Sequence, residues 1–203
     1  MTNIDSLIIE VPDPAEADRF YTEAFGLGGR IRTRASDAAT SGFRGFHVSL
    51  TVSQPSTASS LIDSAVEAGA TVLKPAAKSL WGFGGVVQAP DGTIWKVATS
   101  AKKGSGPATR EVDRIVVLLG AEDVAASKKF YMDHGLAVGK SFGRSYVEFD
   151  TPASPVMLGL YGRRALAKDA GVPPEGTGSH RLALVGGVGP ATDPDGFTWE
   201  PAA

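Results

Sequence analysis

Hydrophobic positions along this chain switch between two spacings, and each switch marks an element. Ile4 to Val11 is a run of aliphatic and β-branched residues that predicts a strand. Asp13 then offers an N-cap, with Pro14 at the first helical position and Glu16 two residues on. This predicts a helix through Phe20 and Tyr21 to about Phe25, stopped by Gly26. Phe46 to Val52 alternates as a strand, and Ser56 to Ala68 is an amphipathic helix with Leu61, Ile62, Ala65 and Val66 on one face. A short strand at Thr71-Val72-Leu73 and another at Val86-Val87-Gln88 follow.

The grammar then starts again. Val112 to Leu119 predicts a strand, and a helix runs from about Glu122 through Phe130 and Tyr131 to Gly135-Leu136. Both halves close on one phrase: Ala89-Pro90-Asp91-Gly92-Thr93-Ile94-Trp95-Lys96 in the first, and Thr192-Asp193-Pro194-Asp195-Gly196-Phe197-Thr198-Trp199-Glu200 in the second. A Pro-Asp-Gly turn feeding aromatic and β-branched residues is a turn into a strand, so an internal repeat is expected. The second copy is shorter. His180 to Val185 is the strand matching Phe46 to Val52, but only Gly186-Gly187-Val188-Gly189-Pro190 separates it from the turn, so its second helix is missing. That leaves one side of the second sheet thinly covered unless Arg163 to Ala170, of helical composition, packs there. Thr99 to Arg110 is rich in Gly and Ser and has no large apolar residue, which sets domains at 1–99 and 112–203 with a linker at 100–111.

Composition removes several classes of chemistry. The chain has no cysteine, so disulfides, thiolate metal sites and cysteine nucleophiles are excluded, and any metal needs His or carboxylate ligands. A formal charge of -2 with interspersed signs gives no footprint for nucleic acid or an anionic membrane, so neither partner is expected. No apolar run reaches the length of a membrane helix and no leader is recognisable at Met1, so a cytoplasmic protein is expected.

Taken in order, Asp5 to Val11, Phe20-Tyr21, Gly26-Leu27, His47 to Leu50, Ala68 to Val72, Trp81-Gly82 and Pro90-Asp91-Gly92 resemble the vicinal-oxygen-chelate superfamily, the glyoxalase and bleomycin-resistance group. Asp113 to Leu136 and His180 to Trp199 resemble a second such domain. The resemblance implies an α+β fold of tandem βαβββ modules, their mixed sheets curled around cavities. It also implies three metal-ligand positions per site: a His after the first-strand Asp, a His opening a later strand, and a Glu after the Asp-Gly turn.

Those positions hold Ser6, His47 and Lys96 in the first half, and Arg114, His180 and Glu200 in the second. Neither set is complete. If the halves exchange strands, Ser6 joins His180 and Glu200 as a two-ligand site, while Arg114 joins His47 and Lys96 as an electropositive site without metal. His180 and Glu200 are therefore the candidate catalytic and metal-binding pair, although a strand-opening His such as His47 or His180 is more often a hydrogen-bonded structural residue than a ligand. A divalent metal at that partial site is one expectation, and no cofactor is the favoured one.

Arg30, Arg32 and Arg34 fall on one face of a predicted strand, either as a solvated surface or as an anion-binding wall with Arg32 at its centre. Trp81 and Trp95 are candidates to clamp a flat ligand, against a simpler role in core or rim. Three functions fit: a metal-independent binder of a small organic molecule, an enzyme (lyase, isomerase or dioxygenase) using His180 and Glu200, or an interaction protein on a scaffold without a site. Two domains in one chain suit either a monomer or a homodimer.

Overall fold

The computed structural model describes residues 2–104 and 106–202; residues 1 and 203 and Ser105 of the expected linker lie outside the described set. In chain order the first half comprises β1 (Ile4–Val11), α1 (Pro14–Phe25), β2 (Arg32–Ala35), β3 (Thr40–Gly42), β4 (Phe46–Thr51), α2 (Pro55–Glu67), β5 (Thr71–Ser79), β6 (Gly82–Gln88) and β7 (Ile94–Thr99). The second comprises β8 (Arg114–Ala121), α3 (Val124–Asp133), β9 (Ala137–Phe142), β10 (Tyr146–Asp150), β11 (Met157–Gly162), α4 (Arg163–Ala170), β12 (Gly176–Gly178), β13 (Leu182–Gly186), β14 (Ala191–Thr192) and β15 (Thr198–Glu200). Asp13 caps α1 by accepting from the Glu16 N–H, and Gly26 ends the helix at φ 66, a left-handed geometry that glycine enters without a Cβ penalty.

The strands exchange partners between halves. An eight-stranded sheet runs β5-β6-β7-β4-β8-β11-β10-β9, and a five-stranded sheet runs β14-β15-β13-β1-β2. The joins are antiparallel in both cases: β4 to β8, with Thr51 opposite Arg114, and β1 to β13, with Ile8 opposite Ala183. One hydrophobic core ties the sheets together through the faces carrying Leu7, Ile9, Val48, Leu50, Val117, Leu184 and Trp199, packed on α1 and α2.

The repeated phrase turns out to be a latch. Tyr21 on α1 donates from its hydroxyl to Asp91 in the β6–β7 turn at 2.7 Å, and its ring lies 4.9 Å from Trp95. Tyr131 on α3 donates to Asp193 before β15, also at 2.7 Å, with its ring 5.9 Å from Trp199. Each latch joins the helix of one module to the closing turn of the next. Burial first, and then the facing carboxylate, push both phenols above their usual range.

Two elements depart from the pattern of the sequence. The expected three-residue strand at Thr71 is nine residues long, reaching Ser79 over bulges at Lys74 and Ala77. As an edge strand it tolerates Pro75 and exposed lysines, which hide it from a search for alternation. The other is α4. Its Leu166, Ala167 and Ala170 cluster with Phe43, Val86 and Ile94, so it covers the concave face of the eight-stranded sheet and leaves the shortened sheet uncovered by it.

Candidate functional site

Side chains alternate across a strand, so β7 sends Trp95 and Val97 into the core and Lys96 and Ala98 to the concave face. The same rule on β4 places His47, Ser49 and Thr51 on that face, and Arg114 stands opposite Thr51. Strand exchange therefore gathers Arg114, His47 and Lys96 on one surface. Trp95 is fully buried against Tyr21 and Phe25 and faces away from it.

The residue that organises this surface is Asp169, which α4 lays over it. Both of its carboxylate oxygens accept from Lys96 Nζ, at 2.8 and 2.7 Å, and Oδ2 lies 3.4 Å from His47 Nε2. Burial alone would raise the Asp169 carboxyl, but the His47 contact and the Lys96 ammonium outweigh it and hold the group well below the usual carboxylate range. His47 is fully buried, and burial pushes its imidazole below its ordinary value, which keeps the ring neutral. Nothing in the sequence marks Asp169, because the helical composition around it predicts an element and no partner.

Beyond α4 the concave face lies open as a cup of about 310 Å³, lined by Lys74, Ala77, Trp81, Gly84, Lys96, Ala98 and Asp169 among others. Its floor is a row of small residues across three strands, Ala77 opposite Gly84 and Gly84 opposite Ala98. A Cβ on Gly84 would sit 2.6 Å from the Val97 carbonyl oxygen, so the floor stays bare backbone there. Trp81 stands at the β5–β6 turn, 84% exposed, its backbone N–H donating to the Ser79 hydroxyl. Arg114 continues the floor row about 10 Å from Ala98, two strand spacings away.

The five-stranded sheet carries the other half of the expected residues. Its concave side shows Ser6, Ile8 and Glu10 on β1, Arg32 and Arg34 on β2, Ala183 and Val185 on β13, and Glu200 on β15. Arg34 bridges two carboxylates, donating to Glu10 at 2.6 Å and to Glu200 at 2.8 Å. Arg32 lines the adjoining cavity of about 260 Å³ with Ile8, Val185 and Glu200, while Arg30 falls in the turn before β2.

His180 takes partners apart from Glu200. Its Nδ1 is 2.6 Å from the Arg44 carbonyl, its Nε2 is 3.0 Å from the Asp195 carbonyl, and its ring stacks on Phe197 at 4.0 Å. The cause is a slip of one residue. On β4 the positions two and four after His47, Ser49 and Thr51, lie on the concave face; on β13 the positions two and four after His180, Leu182 and Leu184, face the core. A shift of one residue in a strand turns every side chain over. Arg181, the residue after His180, takes φ 52 and is hydrogen-bonded to the Ser36 and Ala38 carbonyls. Among the described residues, no group of three or more His, Asp or Glu side chains is arranged to hold a metal ion.

No family model matches the chain, and no curated protein matches its sequence. Solved structures do match. Glyoxalase I from Zea mays aligns with a TM-score of 0.63 at 15% identity, covering 98% of this chain and 91% of that one. A putative dioxygenase from Bacillus subtilis subsp. subtilis str. 168 aligns with a TM-score of 0.55 at 14% identity, covering 96% of this chain and 71% of that one. At such identities the likeness concerns architecture: the chain has the fold of glyoxalase I, the α+β arrangement that the sequence resemblance implied. No helix among the described residues is long and apolar enough to cross a membrane.

Proposed function

We propose that this protein binds a small organic molecule in the cup on the eight-stranded sheet, and does so without the divalent metal that the superfamily resemblance implies. The ion pair of Lys96 with Asp169 carries the reading. Lys96 stands at the position implied for the Glu ligand, and a protonated amine has no lone pair to give a metal. On the other sheet Glu200 is taken by the Arg34 guanidinium, and both His180 nitrogens are directed at backbone carbonyls. The residues present do not fit a divalent cation: on each concave face a side-chain cation already sits beside the carboxylate.

What remains is a binder's surface. The bare floor of Ala77, Gly84 and Ala98 suits a flat ring, and the exposed indole of Trp81 stands ready to cover it. Protein stripped with a chelator should rise in Tm with naphthalene-2-carboxamide, because a ligand bound only to the folded state adds RT ln(1 + [L]/Kd), about 2.7 kcal/mol at a hundredfold excess over Kd. Trp81→Ala should lose that rise while keeping its own Tm in the absence of ligand. A rise that appears only after Mn, Fe, Ni or Zn is restored would sink the metal-free reading.

A further inference from the structure

Resting on that reading of the cup, we infer that Asp169 fills, from within the chain, the place of a ligand's carboxylate, so that the external ligand is an organic anion competing with Asp169 for Lys96. The ammonium of Lys96 and the imidazole of His47 converge on one carboxylate group, at 2.7 and 3.4 Å from its Oδ2. That is an anion-binding arrangement on the sheet, and the anion it holds comes from α4. His47 is wholly buried, neither ring nitrogen makes a full hydrogen bond, and the Asp169 carboxylate lies 3.4 Å from Nε2.

The pair also opens onto the cup. The side chains of Lys96 and Asp169 are 28% and 32% exposed, and both line it. The helix itself is fixed, since Leu166, Ala167 and Ala170 are fully buried and Lys74 Nζ donates to the Lys168 carbonyl at 2.6 Å. Exchange therefore needs only a rotation of the Asp169 side chain, with α4 left in place. The rest of the concave face supports an anion. Lys74 lines the cup, Arg114 continues its floor row, and among the described residues Arg114 makes no ion pair. A cationic ligand would meet these groups with like charge.

The test uses two probes of one shape, naphthalene-2-carboxylate and naphthalene-2-carboxamide, titrated calorimetrically into the wild type and Asp169→Asn. The Asn variant keeps the size of the side chain and removes its charge. The carboxylate should bind Asp169→Asn at least about tenfold tighter than the wild type, the equivalent of about 1.4 kcal/mol, and the ratio of carboxylate to carboxamide affinity should rise with it. Adding Lys96→Met should abolish the gain. Carboxamide binding with no gain for the carboxylate overturns the inference and leaves the cup reading standing. Binding of neither probe to either protein overturns both. Near-ultraviolet circular dichroism of each variant separates a lost site from a lost fold.

Discussion

Asp193→Ala is expected to destabilise the fold by about 3 kcal/mol, two to three times as much as Asp195→Ala, although Asp195 is the residue that matches Asp91 in the repeated phrase. Asp193 is buried, and its carboxylate accepts from the Tyr131 hydroxyl and from the Asp195 and Phe197 N–H groups. Tyr131 and Phe197 are fully buried, so their donors would be left without acceptor or water, at about 1–3 kcal/mol for each orphaned group. Burial raises the Asp193 carboxyl above its ordinary range, and relief of that cost on removal keeps the estimate below the full sum. Asp195 serves the exposed Glu122 N–H, where water replaces a lost acceptor, and the buried Ser127 hydroxyl, which can rotate to the carbonyl one helical turn back. In a chain of this length the Asp193→Ala loss corresponds to a fall in Tm of roughly 6–12 °C. Equal losses from the two variants, measured by urea unfolding, would refute the latch.

Trp95→Ala should cost about 3–5 kcal/mol, the range for removing a large aromatic side chain from a packed core. Its indole is fully buried and touches Tyr21 and Phe25 at ring separations of 4.9 and 5.0 Å. Trp81→Ala, at a position that is 84% exposed, should change stability by no more than about 0.5 kcal/mol and instead lose ligand affinity. The two tryptophans thus separate stability from binding, and an affinity loss in a folded Trp95 variant matching that of Trp81→Ala would contradict their assignment to opposite sides of the sheet.

The residues gave up the architecture more readily than the site. The aliphatic run of β1, the alternation of β4, the Asp-Pro start of α1 and the Phe-Tyr helices are local signals, and they persist in the structure because packing agrees with them. The length of β5 was hidden because an edge strand with Pro75 and lysines carries no alternation. The site depends on facts that no local pattern contains. Which strands pair across the halves decided that Arg114 joins His47 and Lys96. A reversal of facing, invisible where His180 opens an apparently alternating run, left that histidine before the strand and out of step with the concave face. Asp169 acquires its meaning only from where α4 docks, far along the chain from Lys96.

The central claim is that ligand binding occurs on the eight-stranded sheet and needs no metal. Nitrogen-15-labelled, chelator-treated protein titrated with naphthalene-2-carboxamide, followed through its amide resonances, tests both parts at once. Shifts are expected to gather on Ala77, Gly84, Lys96 and Ala98 and on the indole N–H of Trp81. Shifts gathered instead on Ile8, Arg32, Arg34, Val185 and Glu200, or arising only once a divalent metal is added, would contradict it.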